Sequence, residues 1–279
     1  RKEGKTYDLF TFGKDYFLHD AVAKVSGLRH MTIHRYMDEK LFRMNQEGYY
    51  NGHVPITGVI AFALQIVNYL YGYRYNVLSN EKSADSENLI WKGYAINHQY
   101  SKSSEFEADF QGYVARYMSD TTYFSLLRDM YEIEIAKLFS EAKRYFPVFS
   151  SCNNNFKVIE QNKTTTDRWC LHCPKCAFVF SALHPFITPD DIITIFGRDI
   201  YEDESLLSLF QELLGYSGHK PFECVGTNEE VTFAMHLSVE RYQKEGRQLP
   251  LILDFFHTTI APTLSSSQVR QLQEKFHME

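Results

Sequence analysis

No stretch of this 279-residue chain is apolar for the ~20 residues a membrane helix needs. The longest approach, "VPITGVIAFALQIVNYLYGY", is interrupted by Pro55, Gln65 and Asn68, so no membrane partner is expected. Positive charge is not in excess: 29 Lys and Arg face 35 Asp and Glu, for a net charge of -6. That balance counts against a general binder of nucleic acid, which presents a basic surface. Cysteine is scarce, with 5 in the chain, and three of them crowd into one motif. This is a poor match to a secreted disulfide framework and fits a reducing cytosol. The opening "RKEGKTYDLF" is polar and then strand-like, unlike a signal peptide, so a cytoplasmic location is expected. Repeats and low-complexity tracts are missing too. What is plentiful is aromatic: 22 Phe and 19 Tyr suit a large core and pockets with polar rims.

The first part of the chain alternates strand and helix signals. "TYDLFTFG" reads as a buried strand, "HDAVAKVSG" as a helix closed by Gly27, and "HMTIHRY" as a second strand. A helix around "DEKLFRMNQEG", a turn at "YYNGHVP" and a long apolar helix from about Ile56 to Tyr71 come next, then the strand "YNVLSNE". This order predicts a parallel sheet with helices on both faces, and ligands beyond the carboxyl ends of its strands. From Glu105 onward the pattern is mainly helical. "EFEADFQGYVARYM" and "SLLRDMYEIEIAKLFSEAKRYF" read as amphipathic helices, and "KCAFVFSALHPFI", "PDDIITIFG", "DESLLSLFQELLG" and "TNEEVTFAMHLSVERYQKEG" as four more. The expected organisation is an α/β domain over residues 1–120 and a mainly helical domain over 121–279.

Five stretches carry residues fit for chemistry. In "DRWCLHCPKCAFVF", Cys170, Cys173 and Cys176 stand at CxxCxxC spacing. Three thiols do not complete a tetrahedral zinc site; Cys152 supplies the fourth if the insertion between it and Cys170 loops out, with His172 a poorer substitute. A site with four protein ligands has no open position, so it would be structural. Unmetallated thiols, a CxxC redox pair or an iron–sulfur cluster are the alternatives. "YYNGHVPITG" places Asn51, Gly52 and His53 before a helix whose free N–H groups favour an anion; a plain helix start beside Pro55 looks the same. "VLSNEKSADSEN" ends a strand in Ser79, Asn80 and Glu81, as a solvated loop also would. In "NHQYSKSSEFE", Ser101 and Lys102 precede a helix capped by Ser103 or Ser104, a placement suited to phosphate or simply to solvent. "GYSGHKPFECVG" gathers His219, Lys220, Glu223 and Cys224 in one glycine-rich loop, each capable of proton transfer. A tight turn with an inert buried cysteine is the structural alternative there.

The run "NGHVPITG … VLSNEKSA … NHQYSKSSEFE … SCNNNF … RWCLHCPKCAFVF … GHKPFECVG" resembles the bacterial ATP-dependent UDP-N-acetylmuramoyl-L-alanyl-L-glutamate epimerase family over most of the chain. The resemblance implies an adenine-nucleotide alpha-hydrolase-like fold, in the group that includes the ATP pyrophosphatases. It also implies a reaction in peptidoglycan synthesis in which ATP and Mg²⁺ activate the terminal L-Glu of UDP-MurNAc-L-Ala-L-Glu as an acyl-adenylate. Activation makes the α-proton removable, and its return on the opposite face followed by hydrolysis gives the D-epimer, AMP and pyrophosphate. By resemblance, Gly13, Lys14, Asn51, Gly52 and His53 would line the nucleotide crevice, and Ser101 and Lys102 would contact phosphate. Ser79 and Asn80 belong to that crevice as well, and Glu81 would contact Mg²⁺ or substrate. The cysteine arrangement is similar to the four-cysteine zinc site of 7-cyano-7-deazaguanine synthase. From residue chemistry, Cys224, with Glu223 or His219, is the choice for proton transfer, its thiol activated by Lys220 or His219.

One element of that group is missing. Its "SGGxDS"-type pyrophosphate loop joins the first strand to the first helix, whereas "RKEGKTYDLFTFG" resembles the segment that comes after that helix. The expectation is that the loop lies upstream of this chain. Competing readings are another ATP pyrophosphatase, such as a nucleobase- or RNA-modifying amidotransferase, and a zinc-stapled binding protein without catalysis.

Overall fold

The computed structural model describes residues 7–50, 54–87, 89–118, 120–156, 168–218, 221 and 223–278. The chain divides into two compact units, each taking two stretches of sequence. The first holds Arg1–Leu78 and His98–Leu126, and the second holds Ser79–Asn97 and Leu127–Glu279.

In the first unit, β1 (Asp8–Gly13), α1 (Phe17–Ser26) and β2 (Arg29–His34) form a βαβ unit. Its strands pair in parallel, from Asp8 opposite Arg29 to Gly13 opposite His34. Gly27 closes α1 in the left-handed region at φ 63°, donating its N–H to the carbonyls of Ala23 and Lys24. Next come α2 (Glu39–Gln46), capped by Asp38, and α3 (Ile56–Tyr71), which ends at Gly72. β3 (Tyr75–Leu78) then leads out of the unit.

The chain re-enters the first unit through a 3-10 turn at Tyr100–Lys102 and α4 (Ser104–Tyr117), after β4 (Leu89–Trp91) and β5 (Tyr94–Ile96) have formed an antiparallel hairpin in the second unit. Ser103 caps α4 by accepting the Phe106 N–H. β6 (Thr122–Ser125) pairs in parallel with β3, Tyr75 opposite Thr122 and Leu78 opposite Ser125. The parallel pairing expected from strand–helix alternation is therefore present. Among the described residues, however, the hydrogen bonds make two separate two-stranded parallel ladders. The core of this unit is small: Ala61, Phe110, Val114 and Tyr123.

The second unit is helical: α5 (Glu132–Phe139), α6 (Pro174–Leu183), α7 (Pro189–Phe196), α8 (Leu207–Leu213), α9 (Asn228–Lys244), α10 (Leu251–Phe255) and α11 (Ser266–Lys275). Here "SLLRDMYEIEIAKLFSEAKRYF" departs from the single helix its pattern predicts. Ser125 belongs to β6, only Glu132–Phe139 is α-helical, and Lys143–Tyr145 is a 3-10 turn. The helix begins where Glu134 accepts the Tyr131 N–H at 2.8 Å, a local start signal that the apolar periodicity runs straight through. Two capping boxes, Thr188 with Asp191 and Thr227 with Glu230, fix the starts of α7 and α9. The core around α6 and α9 is rich in fully buried aromatics, including Phe178, Phe180, Tyr201, Phe210 and Phe256, and the cysteines lie within it. Among the described residues no helix is long and apolar enough to cross a membrane.

Candidate functional site

Four sulfurs meet inside the second unit. Cys152, Cys170, Cys173 and Cys176 are buried, and their Sγ atoms all lie within 4.8 Å of one another. Cys170 and Cys176 stand 3.8 Å apart, and Cys173 and Cys176 3.4 Å. Four thiolates about 2.3 Å from a tetrahedral zinc stand about 3.8 Å from each other, so the donor set fits a thiophilic divalent cation.

Local sequence explains the convergence. Pro174 starts α6, which places Cys176 in its first turn with Cys173 at the cap position. Leu171 takes a left-handed φ of 61°, a conformation that costs a branched residue energy and persists only where its surroundings impose it. Here it bends the chain between Cys170 and Cys173. His172 is exposed, which leaves Cys152 as the fourth donor. Cys152 is brought in by Ser150, whose hydroxyl accepts the Cys152 N–H and donates to the Arg168 carbonyl.

Three N–H groups point at these sulfurs: Asn154 Nδ2 and the His172 amide at Cys170, and the Cys170 amide at Cys152. Such donors favour thiolate. The Cys170 thiol is held far below its ordinary value by hydrogen bonds from Cys152, Cys173 and Cys176. Cys176 is pushed far above its own by Cys152, Cys170 and Cys173. Four sulfurs this close share protons until a cation replaces them.

A polar cluster adjoins the centre. Lys175, between Cys173 and Cys176, keeps only 13% of its side chain exposed and binds Glu132 Oε1 at 2.8 Å. Burial alone would lower its pKa; Glu132, Glu81 and Cys224 outweigh that and raise it. Glu230 is 1% exposed and accepts hydrogen bonds from the Thr227 N–H and, at 3.3 Å, the Ile133 N–H. Burial, and then the charge of Glu132, push its carboxyl from 4.5 up to about 7. Asn153, next to Cys152, donates Nδ2 to Glu223 Oε2 at 2.6 Å.

The structure thus holds Glu223, and with it the adjoining Cys224, beside the cysteine centre, and places Glu81 in the same unit. Ser79 and Asn80 belong to the same unit as Glu81, with Asn80 buried. Gly13 ends β1 in the first unit, with φ 140°, and Lys14 follows it. Ser101 is buried in the 3-10 turn before α4, and Lys102 there donates to Gln99 Oε1 at 3.0 Å. Asn51, Gly52, His53, His219 and Lys220 lie outside the described residues. Sequence reasoning passed over Lys175, Glu132, Glu230 and Asn153. The available signal was that two of them adjoin cysteines of the motif.

A second constellation has a catalytic look and a structural role. His184 Nδ1 meets Ser238 Oγ at 2.9 Å, and its Nε2 lies 3.9 Å from Asp199. Both His184 and Ser238 are fully buried, and the Ser238 hydroxyl donates to the Ala234 carbonyl. A serine whose proton is committed to backbone, with no exposed face, ties α9 to its neighbours.

What fold and geometry define is an α/β protein with a four-thiol, metal-type centre in its helical unit. Residues 1–126 match the model of the MurL N-terminal domain, and residues 148–270 that of the MurL C-terminal domain. By both domains, the chain belongs to the MurL family. It is 42% identical over 236 residues to the UDP-N-acetyl-alpha-D-muramoyl-L-alanyl-L-glutamate epimerase of Micromonospora sp.. It is 41% identical over 254 residues to that of Salinispora tropica, and 40% over 222 to that of Xanthomonas oryzae pv. oryzae. These similarities take in 83%, 90% and 79% of the chain but 51%, 54% and 49% of the relatives. The chain therefore spans about half the length of the curated relatives it matches. No solved structure matches it.

Proposed function

We propose that the whole protein epimerises the terminal L-Glu of UDP-MurNAc-L-Ala-L-Glu to D-Glu in peptidoglycan synthesis. The observation that carries this is the match of both MurL domains, together with relatives bearing that epimerase name at 40–42% identity. A nucleotide-linked cell-wall precursor as substrate goes with a cytoplasmic location.

The fold reading is adenine-nucleotide alpha-hydrolase-like. ATP with Mg²⁺ supplies activation of the glutamate carboxylate, through an acyl-adenylate. Gly13, Lys14, Asn51, Gly52, His53, Ser79, Asn80, Ser101 and Lys102 are the residues assigned to the nucleotide, and Glu81 to Mg²⁺ or substrate. Cys224 is assigned as the group that takes the α-proton, with Glu223, His219 and Lys220 as its partners. The Asn153–Glu223 hydrogen bond supports this, because it fixes the backbone next to Cys224. Four thiols at tetrahedral spacing support a structural zinc held by Cys152, Cys170, Cys173 and Cys176.

The test is incubation of the whole protein with UDP-MurNAc-L-Ala-L-Glu, ATP and Mg²⁺ in D₂O. The expected products are AMP and deuterium at the glutamate α-carbon. Finding neither would overturn the reading. Retention of full exchange by Cys224→Ala would remove Cys224 from it.

A further inference from the structure

We propose that the four-cysteine centre is also a positioning device: through Asn153 and Phe178 it sets the place of the 223–227 loop. The catalytic consequence rests on the epimerase reading given above; the coupling itself does not.

Two arms of the metal-type centre reach this loop separately. Asn153 directly follows Cys152, so its backbone is fixed wherever the four sulfurs converge. Asn153 Nδ2 donates to Glu223 Oε2 at 2.6 Å, a charge-assisted bond.

The far end of the loop is clamped as well. At Gly226 a Cβ would fall 2.5 Å from Phe178 Cζ and 2.7 Å from Glu230 Oε2. Phe178 stands two positions beyond Cys176 on α6, and Glu230 closes the capping box with Thr227. The loop is therefore held at one end from the segment after Cys152 and at the other from the cysteine helix. It has little freedom to shift without breaking the Asn153–Glu223 bond or displacing a buried ring. Asn153 is accordingly a positioning residue. It acts on the reacting group through Glu223, the neighbour of Cys224.

The experiment uses the whole protein, with metal content measured for each variant and alkylation of Cys224 by iodoacetamide followed on its peptide by mass spectrometry. Asn153→Asp sets two carboxylates against each other, and Glu223→Gln removes the acceptor charge. Combining them reverses the bond, because the introduced amide then donates to the introduced carboxylate. Each single variant is expected to change the alkylation rate about fivefold at unchanged metal content, and the double variant to return within about twofold of the parent. In α-proton exchange, Asn153→Asp is expected to lower kcat with KM unchanged, while the variants at Glu223, itself a partner of Cys224, are read by alkylation. A parental alkylation rate in both fully metallated singles, or a double no better than the singles, would overturn the proposal. If Asn153→Asp fails to hold metal, Glu223→Gln, away from the ligands, decides alone. Altered labelling with unaltered exchange supports the coupling and removes the loop from the epimerase reading.

Discussion

The two units reach a defined structure by different means. In the first, the buried apolar cluster is Ala61, Phe110, Val114 and Tyr123, while α3 leaves Ile66 60% and Leu70 65% exposed. Specificity there comes from amides. Asn76 on β3 accepts from Gln65 and Asn68 of α3 at 2.9 and 2.7 Å and donates back to Asn68 Oδ1 at 2.9 Å, and Thr121 donates to Gln65 Oε1 at 2.8 Å. A one-residue slip of β3 would turn Asn76 out and orphan these groups, so the network enforces register where a two-stranded ladder alone would do so weakly. The second unit relies on a packed aromatic core, with four sulfurs inside it where side chains of another kind would serve as filler. Polar pairing specifies the one; volume and a metal-type staple specify the other.

The largest break in that comparison is expected from Cys170→Ser. It should abolish stoichiometric metal and destabilise the second unit by several kcal/mol, on the order of 5. Trp91 and Trp169 both lie in that unit, so tryptophan fluorescence reports it alone. Hydrogen exchange across β1 and β2 should stay protected. Joint loss of protection in both units would mean that the centre supports them equally.

Gly226→Ala comes next, at about 3 kcal/mol in thermal unfolding of the second unit, because its Cβ has no room beside the buried Phe178 ring.

Glu230→Gln has a sign that depends on pH. The folded protein keeps a proton on Glu230 between its ordinary 4.5 and about 7, where the unfolded chain has released it. The stability this group contributes is therefore present at low pH and lost as pH rises through that window. Relative to the parent, the amide variant should gain roughly 2 kcal/mol between about pH 5 and about pH 8, read from denaturant midpoints. A difference that does not vary with pH would show that the carboxyl is ionised throughout.

Asn76→Ala sharpens the other side of the comparison. It should cost the first unit about 1–2 kcal/mol by leaving buried amides unpaired, seen as faster exchange in β3 and β6. Metal content and tryptophan fluorescence should not change.

Much of this was legible in the sequence because short-range rules govern it. The strand–helix–strand opening, the Gly27 and Gly72 terminations and the end of α7 at Gly197 all follow from periodicity and capping. The convergence of Cys152 with Cys170, Cys173 and Cys176 followed from coordination arithmetic. The hairpin of β4 and β5 was not read, although Lys92 at φ 50° and Gly93 at φ 82° form its tight turn; its strands are three residues each and give too little alternation to count. β6 was not read either: its Ser125 falls at the start of a strongly helical run, and Thr122–Phe124 before it are too few to show alternation. The Lys175–Glu132 and Asn153–Glu223 contacts join residues 43 and 70 positions apart. No local pattern announces such pairs, since each partner alone looks like an ordinary surface residue.

The interleaving of the two units also has a meaning in time. Residues 79–97 are synthesised long before the remainder of their unit, and the Lys82 N–H must wait for the Met130 carbonyl that it meets at 2.8 Å. At translation rates of about 5–20 residues per second, that wait is on the order of several seconds. Throughout it the nascent chain carries Ile90, Trp91 and Tyr94 with no unit to join. Ile90, Trp91 and Tyr94 stay exposed even in the folded chain, and a two-stranded hairpin is marginal alone, so its pairing can form and reopen in microseconds until residue 127 and its successors emerge to hold it.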